Sequence, residues 1–277
     1  MDLAGPRAKL KWAFSQMKAL DDQCLRINES EPFYIADDFD PDGGCHVMRF
    51  RVREEAFPPH LGPLVGSVIH GARSALDQAM WSVACRSNDV DWLWKPEIAR
   101  KIAFPPVWSK KHLPRHSVMP FITGDAKAVL KLLQEHEGGK VAQALRGLDQ
   151  FWNIDKHRVS HNGVARLDLS KIRFRPGSIL TDDLLPELPD AEWLPLSNPV
   201  KDGAEIAKIR FRSGLGPPHT KVKVEGEPSA LVAFGGGPIA LSTYEIAMLL
   251  LHADEALIRF EGLPDEAPPS PAFTKKG

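Results

Sequence analysis

The sequence predicts an α+β protein, a helical bundle of about five helices with an N-terminal β-hairpin and an antiparallel β-rich section before the last helix. Three observations carry this reading. Apolar residues recur at steps of three and four in most of the segments before residue 162. The period changes to two between Val164 and Phe234, and helical spacing returns after Ser242.

From Pro6 to about Asn28, Leu10, Phe14, Met17, Leu20 and Cys24 form one stripe of a long amphipathic helix, with Pro6 suited to its first turn. Two extended runs, Pro32–Ile35 and Val47–Arg53, flank Asp40-Pro41-Asp42-Gly43-Gly44 and predict the hairpin. Leu61 to Arg86 is the clearest helix. Its broad apolar face holds Leu64, Val65, Val68, Ile69, Ala72, Ala75, Leu76, Ala79, Met80 and Val83. Residues 87–122, with Trp92, Trp94, Trp108 and five prolines, read as a long irregular connection of the kind that forms lids or binding loops. Thr123 or Asp125 can cap a helix carrying Val129, Leu130, Leu132 and Leu133. A further helix runs from Lys140 to about His161, where Asn162-Gly163 stops it.

Val164–Arg175, Ala204–Arg212, Thr220–Glu225 and Ser229–Phe234 then read as strands separated by Pro- and Gly-rich turns. Ser242 caps a final helix through Tyr244, Ile246, Ala247, Leu250, Leu251, Ala253, Leu257 and Ile258. The expected organisation is a helical core with the hairpin (1–162), an antiparallel β section (163–240), a C-terminal helix returning to the bundle (241–262) and a disordered Pro-rich tail (263–277).

Composition excludes several classes. Thirty-five basic against 36 acidic residues leave a net charge of −1, with 43% hydrophobic and 26% charged residues. Such a chain is neither collagenous, nor a disordered polyampholyte, nor a globally basic nucleic-acid binder. No secretory h-region and no bilayer-length apolar run is visible, so no membrane partner is expected. Cys24, Cys45 and Cys85 are odd in number and widely spaced, which predicts free buried thiols and a cytoplasmic location.

Two segments carry candidate chemistry. One is His70-Gly71-Ala72-Arg73-Ser74-Ala75-Leu76-Asp77-Gln78, followed by Trp81. The other is Asn153-Ile154-Asp155-Lys156-His157-Arg158. Together they resemble the H-N-x-R-S-A-L-D-H and N-x-D-K-H-R motifs of a large, mostly uncharacterised bacterial and phage family. Gly-Ser-Ile-Leu at 177–180 and Ala-Phe-Gly-Gly-Gly-Pro at 233–238 extend that likeness. A more distant resemblance is to HEPN domains, helical bundles that include many RNases. Their signature is an Arg followed by four to six residues and a His on a helix facing a dimer partner. It implies nucleic acid as a partner and a homodimer. Here the position reached from Arg73 is Gln78, whose amide cannot shuttle a proton, so an intact RNase motif is absent.

On a helical wheel His70, Arg73, Asp77 and Trp81 lie roughly opposite the apolar stripe, as a solvated face would, although Trp81 demands a cover. On the later helix Val141, Leu145, Leu148, Trp152 and Val159 form a stripe that contains Asp155. A carboxylate there must be paired, and Arg73 is the expected partner, with Lys156 or Arg158 as alternatives. The plain reading is a polar clamp joining two helices; the functional one is an Arg73, Asp155 and His157 constellation for phosphate or base contact. Asn153, Lys156 and Arg158 join the binding candidates. His157 and His161 have i, i+4 spacing but no H-E-x-x-H arrangement, so no metal and no cofactor are expected.

The pentamer Lys171-Ile172-Arg173-Phe174-Arg175 recurs as Lys208-Ile209-Arg210-Phe211-Arg212, and Arg49-Phe50-Arg51-Val52-Arg53 has the same alternation. Each run buries two apolar side chains and displays three cations. An acidic block from Asp182 to Glu192 would neutralise that face; left open, the face would track a phosphate backbone. The expected function is therefore that of a nucleic-acid-associated, HEPN-like helical protein without RNase chemistry. The competing reading is a non-enzymatic binding or scaffold protein of phage or mobile-element origin. A third is an enzyme using the Arg73, Asp155 and His157 region on a small substrate.

Overall fold

The computed structural model describes residues 2–53, 57–106, 112–135, 139–157, 162–168, 173–178, 190–195, 200–210, 220–225, 229–235 and 240–263. The chain forms two compact units, one of Met1–Leu20, Pro63–His161 and Tyr244–Gly277, the other of Asp21–Gly62 and Asn162–Thr243. The fold is α+β, as the change of period predicts.

The helical unit contains most of α1 (Ala4–Glu29) and α2 (Leu61–Ser87), with the short helices α3 (Val90–Leu93) and α4 (Pro96–Ala99). The rest is α5 (Gly124–Glu135), α6 (Lys140–His157) and α7 (Thr243–Glu261). Every residue of the predicted α2 stripe except Leu64 is buried, and Ala84 and Arg73 are buried with them. So wide a buried surface makes α2 the central helix of the unit. At Gly71 a Cβ would stand 3.0 Å from the Ala13 Cβ and 3.2 Å from the Trp12 ring, so the close approach of α1 requires glycine. Arg7 fastens α1 to α7 by donating to Glu261 from Nε (2.7 Å) and Nη2 (2.6 Å) and by pairing with Asp254. Its hydrogen bonds to Glu261 raise the Arg7 pKa and lower that of Glu261.

On α7 the buried stripe is Ile246, Leu249, Leu250, Ala253, Ala256, Leu257 and Phe260. Tyr244, Leu251 and Ile258, expected inside, are exposed, as is Leu132 of α5. The apolar surface of both helices is wider than the face that packs.

The 87–122 connection, read as an open loop, is a packed cover wherever it is described. It carries α3, α4 and two 3₁₀ turns (Leu113–Arg115 and Met119–Phe121), and it buries Leu93, Ile102, Phe104, Leu113, Val118, Phe121 and Ile122. Asn88 Nδ2 donates to Ala84 O and to Phe121 O, each at 2.8 Å, which pins the start of the excursion to its end. Trp108 lies outside the described residues.

In the second unit, β1 (Phe33–Asp40) and β2 (Cys45–Val52) form the predicted hairpin. Asp40 Oδ1 accepts the N–H groups of Asp42 and Gly43 at 3.1 Å each, and Gly44 takes φ +57°. The turn is thus an Asx cap followed by a left-handed residue that suits glycine. The hairpin, expected with the helical core in residues 1–162, instead falls in this second unit. β2 pairs antiparallel with β6 (Glu205–Arg210), and β5 (Asp190–Trp193) completes a sheet of order β1-β2-β6-β5. β3 (Asn162–Asp168), β8 (Ser229–Gly235) and β9 (Ala240–Ser242) form a second sheet, and β4 (Arg173–Ser178) pairs with β7 (Thr220–Glu225). Val164–Arg175, expected as one run, is divided between β3 and β4, and the tail from 264 lies outside the described residues.

The core of this unit is Met48, Phe50, Val200, Ile206, Ala207, Ile209 and Val222. One carboxylate ties its edges. Asp37 Oδ1 meets the buried His46 Nδ1 at 2.7 Å, and Asp37 Oδ2 accepts the Val222 N–H of β7 at 3.1 Å. The three cysteines are free, and burial pushes the Cys24 thiol pKa up to about 12. Among the described residues no helix is long and apolar enough to cross a membrane.

Replacing the Asp37 carboxylate removes both bonds and strands the Val222 N–H. Asp37→Ala should therefore lower stability by about 1–3 kcal/mol in urea unfolding. Asp42→Ala, at the exposed hairpin turn, should change it by less than about 0.5 kcal/mol.

Candidate functional site

The α2 motif folds inward, not outward. Arg73 is 6% exposed, so the solvated face predicted by the wheel does not exist at this position. The reason is that the connection and α6 cover that side of α2. Three polar contacts and two aromatic rings surround the guanidinium. Nη1 donates to Asp149 Oδ1 of α6 at 3.2 Å, Nη2 donates to Phe104 O at 2.6 Å, and Asp77 Oδ1 lies 3.3 Å from Nη2. The Trp152 and Phe104 rings flank it, with centroids 5.2 and 5.8 Å from Cζ. The buried Nε has no hydrogen-bond partner.

Asp77, one turn after Arg73, accepts the Phe104 N–H at 2.9 Å. The i, i+4 pair thus takes both peptide groups of one residue: Asp77 holds the N–H and Arg73 the carbonyl. Phe104 has no strand or helix to satisfy these groups, and it is 1% exposed. Buried backbone of this kind must find partners, and two charged side chains provide them. Burial raises the Asp77 pKa above the ordinary carboxyl value, outweighing the attraction of Arg73.

The predicted clamp between two helices is present, but with a carboxylate that sequence reasoning missed. Asp149, 6% exposed, occupies the position expected of Asp155. The signal was available, since Asp149 stands four residues after Leu145 and three before Trp152, inside the same stripe. Burial of Ala142, Ala144 and Phe151 widens the stripe toward it. Asn153 of the second motif supports the arrangement, its Nδ2 donating to Asp149 Oδ2 at 3.4 Å. The side chains of Asp155, Lys156 and His157 lie outside the described residues, as does all of Arg158 and His161.

The other α2 candidates separate from this cluster. His70 is exposed and lines a shallow groove with Lys9, Trp12 and Ser74. Trp81 receives the cover it needs from the connection, its ring 4.8 Å from that of Trp94. A further titratable group missed by sequence reasoning is His116, where burial and the positive charge of Arg73 both lower the pKa. Its Nδ1 accepts the Val118 N–H at 3.3 Å, which suits a neutral ring.

The strand cations are matched by nearby acids. Arg49 pairs with Asp38 (3.1 Å) and Glu205 (2.9 Å), and Arg51 with Asp38 (3.3 Å). Lys208 lies 3.8 Å from Glu205 and Arg210 3.3 Å from Glu192, while the Arg53 guanidinium sits 5.8 Å from the Tyr34 centroid. Most of the neutralising acids come from β1 and β6, with Glu192 from the acidic block. The side chains of Arg173 and Arg175 are outside the described residues, as are Lys171 and Arg212 entirely. Among the described residues no cluster of three or more His, Cys, Asp or Glu is arranged to hold a metal ion.

No protein family, curated protein or solved structure matches this chain.

Removing one member of a buried ion pair leaves the other charge uncompensated. Asp149→Ala should cost about 3 kcal/mol or more, and a double-mutant cycle with Arg73→Met should give a coupling of about 1–3 kcal/mol. Coupling near zero in urea unfolding would remove the pair from the stability of the fold.

The pH dependence has a definite sign. His116 binds its proton less tightly in the fold than in the unfolded chain. Its contribution is present above the ordinary histidine value and is lost as pH falls through the lower folded value. His116→Asn should therefore flatten the fall in Tm between about pH 7 and pH 5. Asp77, with its raised pKa, acts in the opposite sense at more acid pH.

Proposed function

We propose that this chain is a non-catalytic binding protein in which the Arg73–Asp77 motif holds irregular backbone in the helical core. The observation that carries the reading is the two-sided grip on Phe104, with Nη2 of Arg73 2.6 Å from its carbonyl and Asp77 accepting its N–H at 2.9 Å. A guanidinium that serves a phosphate must present free N–H groups to it. Here both terminal nitrogens are engaged by protein, and an incoming anion would have to displace Asp149 and the Phe104 carbonyl.

Two further points favour binding over RNA cleavage. Gln78 follows Asp77 where HEPN-type chemistry would place its acid or base, and an amide supplies neither. The described cations of β2 and β6 face Asp38, Glu192 and Glu205, which lowers the positive potential a phosphate backbone would meet. A homodimer and an origin on a phage or mobile element are compatible with this reading, which rests on neither.

The test combines purification with an activity assay. Protein prepared at low and at high salt should show the same 260/280 nm absorbance ratio, because no salt-sensitive nucleic acid travels with it. Incubation with mixed RNA should give no cleavage above background. RNA cleavage that fell in Arg73→Lys while Tm stayed unchanged would overturn the proposal, since the guanidinium would then be acting on substrate.

A further inference from the structure

α7 carries a second apolar stripe, on the side opposite the buried Ile246, Leu250, Ala253 and Leu257. Tyr244, Leu251 and Ile258 are 71, 50 and 53% exposed. They stand seven residues apart. Such a spacing drifts by only about 20° per heptad, so the three form one line along about 21 Å of the helix. Half-buried Ala247 and Met248 fill the gap between Tyr244 and Leu251. Scattered exposed apolar residues are ordinary, but a line of three large ones marks a contact surface. A repeat of seven is also the period at which one helix packs along another.

Charge and symmetry identify the occupant. Asp254 and Glu255 border the stripe on its two sides, the first paired with Arg7 and the second with Arg259 at 2.6 Å. A helix that lies on a membrane carries lysine and arginine at this margin, and acids there disfavour anionic lipid and phosphate alike. A second copy of α7 fits. The stripe is symmetric about Leu251, with one large apolar side chain seven residues before it and one seven after. A two-fold axis at Leu251 sets that residue on its own mate and Tyr244 against the partner's Ile258. Asp254 and Glu255 then face the partner's Ala247 and Met248, not its acids. Glu245 and Arg259 lie on the same flank, six residues before Leu251 and eight after it. The rotation brings each within about one helical turn of the other across the seam, so the charged flank is self-complementary. A net charge of −1 sets no long-range repulsion between two copies.

We propose that this chain forms a two-fold dimer in which α7 packs antiparallel against α7 of a second copy along Tyr244, Leu251 and Ile258. A seam of one helix is at the small end of specific interfaces, so the expected Kd is about 1–100 μM. The inference goes beyond the binding role proposed above, does not rest on it and uses neither Arg73 nor Asp77.

Sedimentation of the full chain from about 1 to 300 μM should show a monomer–dimer equilibrium. Leu251→Glu sets two carboxylates together at the axis and should weaken the dimer at least about tenfold, with Tm unchanged because the site is exposed. Cysteine cross-linking reads the register. Under mild oxidation Leu251→Cys should link to itself. Tyr244→Cys and Ile258→Cys should link little when alone and readily when mixed. The wild-type chain, with Cys24, Cys45 and Cys85, sets the background. A chain that stays monomeric at about 300 μM would sink the proposal. So would a dimer indifferent to Leu251→Glu, or Tyr244→Cys linking to itself as readily as to Ile258→Cys. Flotation of the chain with phosphatidylcholine–phosphatidylserine vesicles, abolished by Leu251→Glu, would overturn it in favour of a lipid surface.

Discussion

Taking a guanidinium out of water costs several kcal/mol, and the helical unit is arranged around meeting that cost at Arg73. The charge sits on α2, the most buried helix, and its compensation comes from three parts of the chain: Asp149 on α6, Asp77 one turn away, and the Phe104 carbonyl of the connection. Each partner also has a second tie. Asp149 accepts from Asn153, Asp77 accepts from the Phe104 N–H, and the Phe104 ring packs edge-on against Phe260 of α7. Satisfying one buried cation therefore positions α6 and the connection against α2, with α7 reached through the aromatic contact. Hydrophobic burial supplies most of the favourable energy in such a core, but it is non-directional. The Arg73 contacts are directional, and they choose one packing among the many that would bury the same apolar surface.

The second unit handles charge differently. Its arginines are at the surface, and the acids matched to them lie on adjacent strands in register: Arg49 is opposite Glu205, and Asp38 stands within reach of both Arg49 and Arg51. Half-exposed pairs of this kind contribute little stability, at most about 1 kcal/mol each. Their effect is on pairing, because shifting β2 by one residue against β6 would exchange the two faces of β2 and put Arg49 and Arg51 in the core that Met48 and Phe50 fill. The overall charge of −1 thus emerges from matched pairs, not from an absence of charge.

Helices, hairpin and most strands were legible because each obeys a local period: 3.6 for α1, α2 and α7, two for β1, β2 and β6. Strand order was not. The period of two says that Ile206, Ala207 and Ile209 belong to a strand, but not that β6 pairs with a hairpin more than 150 residues earlier. The clamp was half legible. A carboxylate on an apolar stripe signals a buried partner, and Arg73 was that partner; the stripe was drawn too narrowly, so Asp155 was preferred to Asp149. Phe104 and His116 gave no signal, since their roles arise from where an aperiodic segment packs.

That aperiodic segment carries five of the chain's 24 prolines. Pro96 starts α4, Pro114 and Pro120 sit in the 3₁₀ turns, and Pro105 is buried directly after Phe104. Each fixes φ and narrows the unfolded ensemble, so ordering the connection loses less entropy. Proline also removes a backbone donor, which matters at Pro105: the interior there holds one fewer N–H that needs an acceptor. The adjoining Phe104 N–H and carbonyl remain, and those are the groups that Asp77 and Arg73 take. The buried ion pair and the proline therefore answer the same requirement from two sides. The residues that look most like a catalytic motif in the sequence are those needed to bury a stretch of chain with no helix or strand of its own.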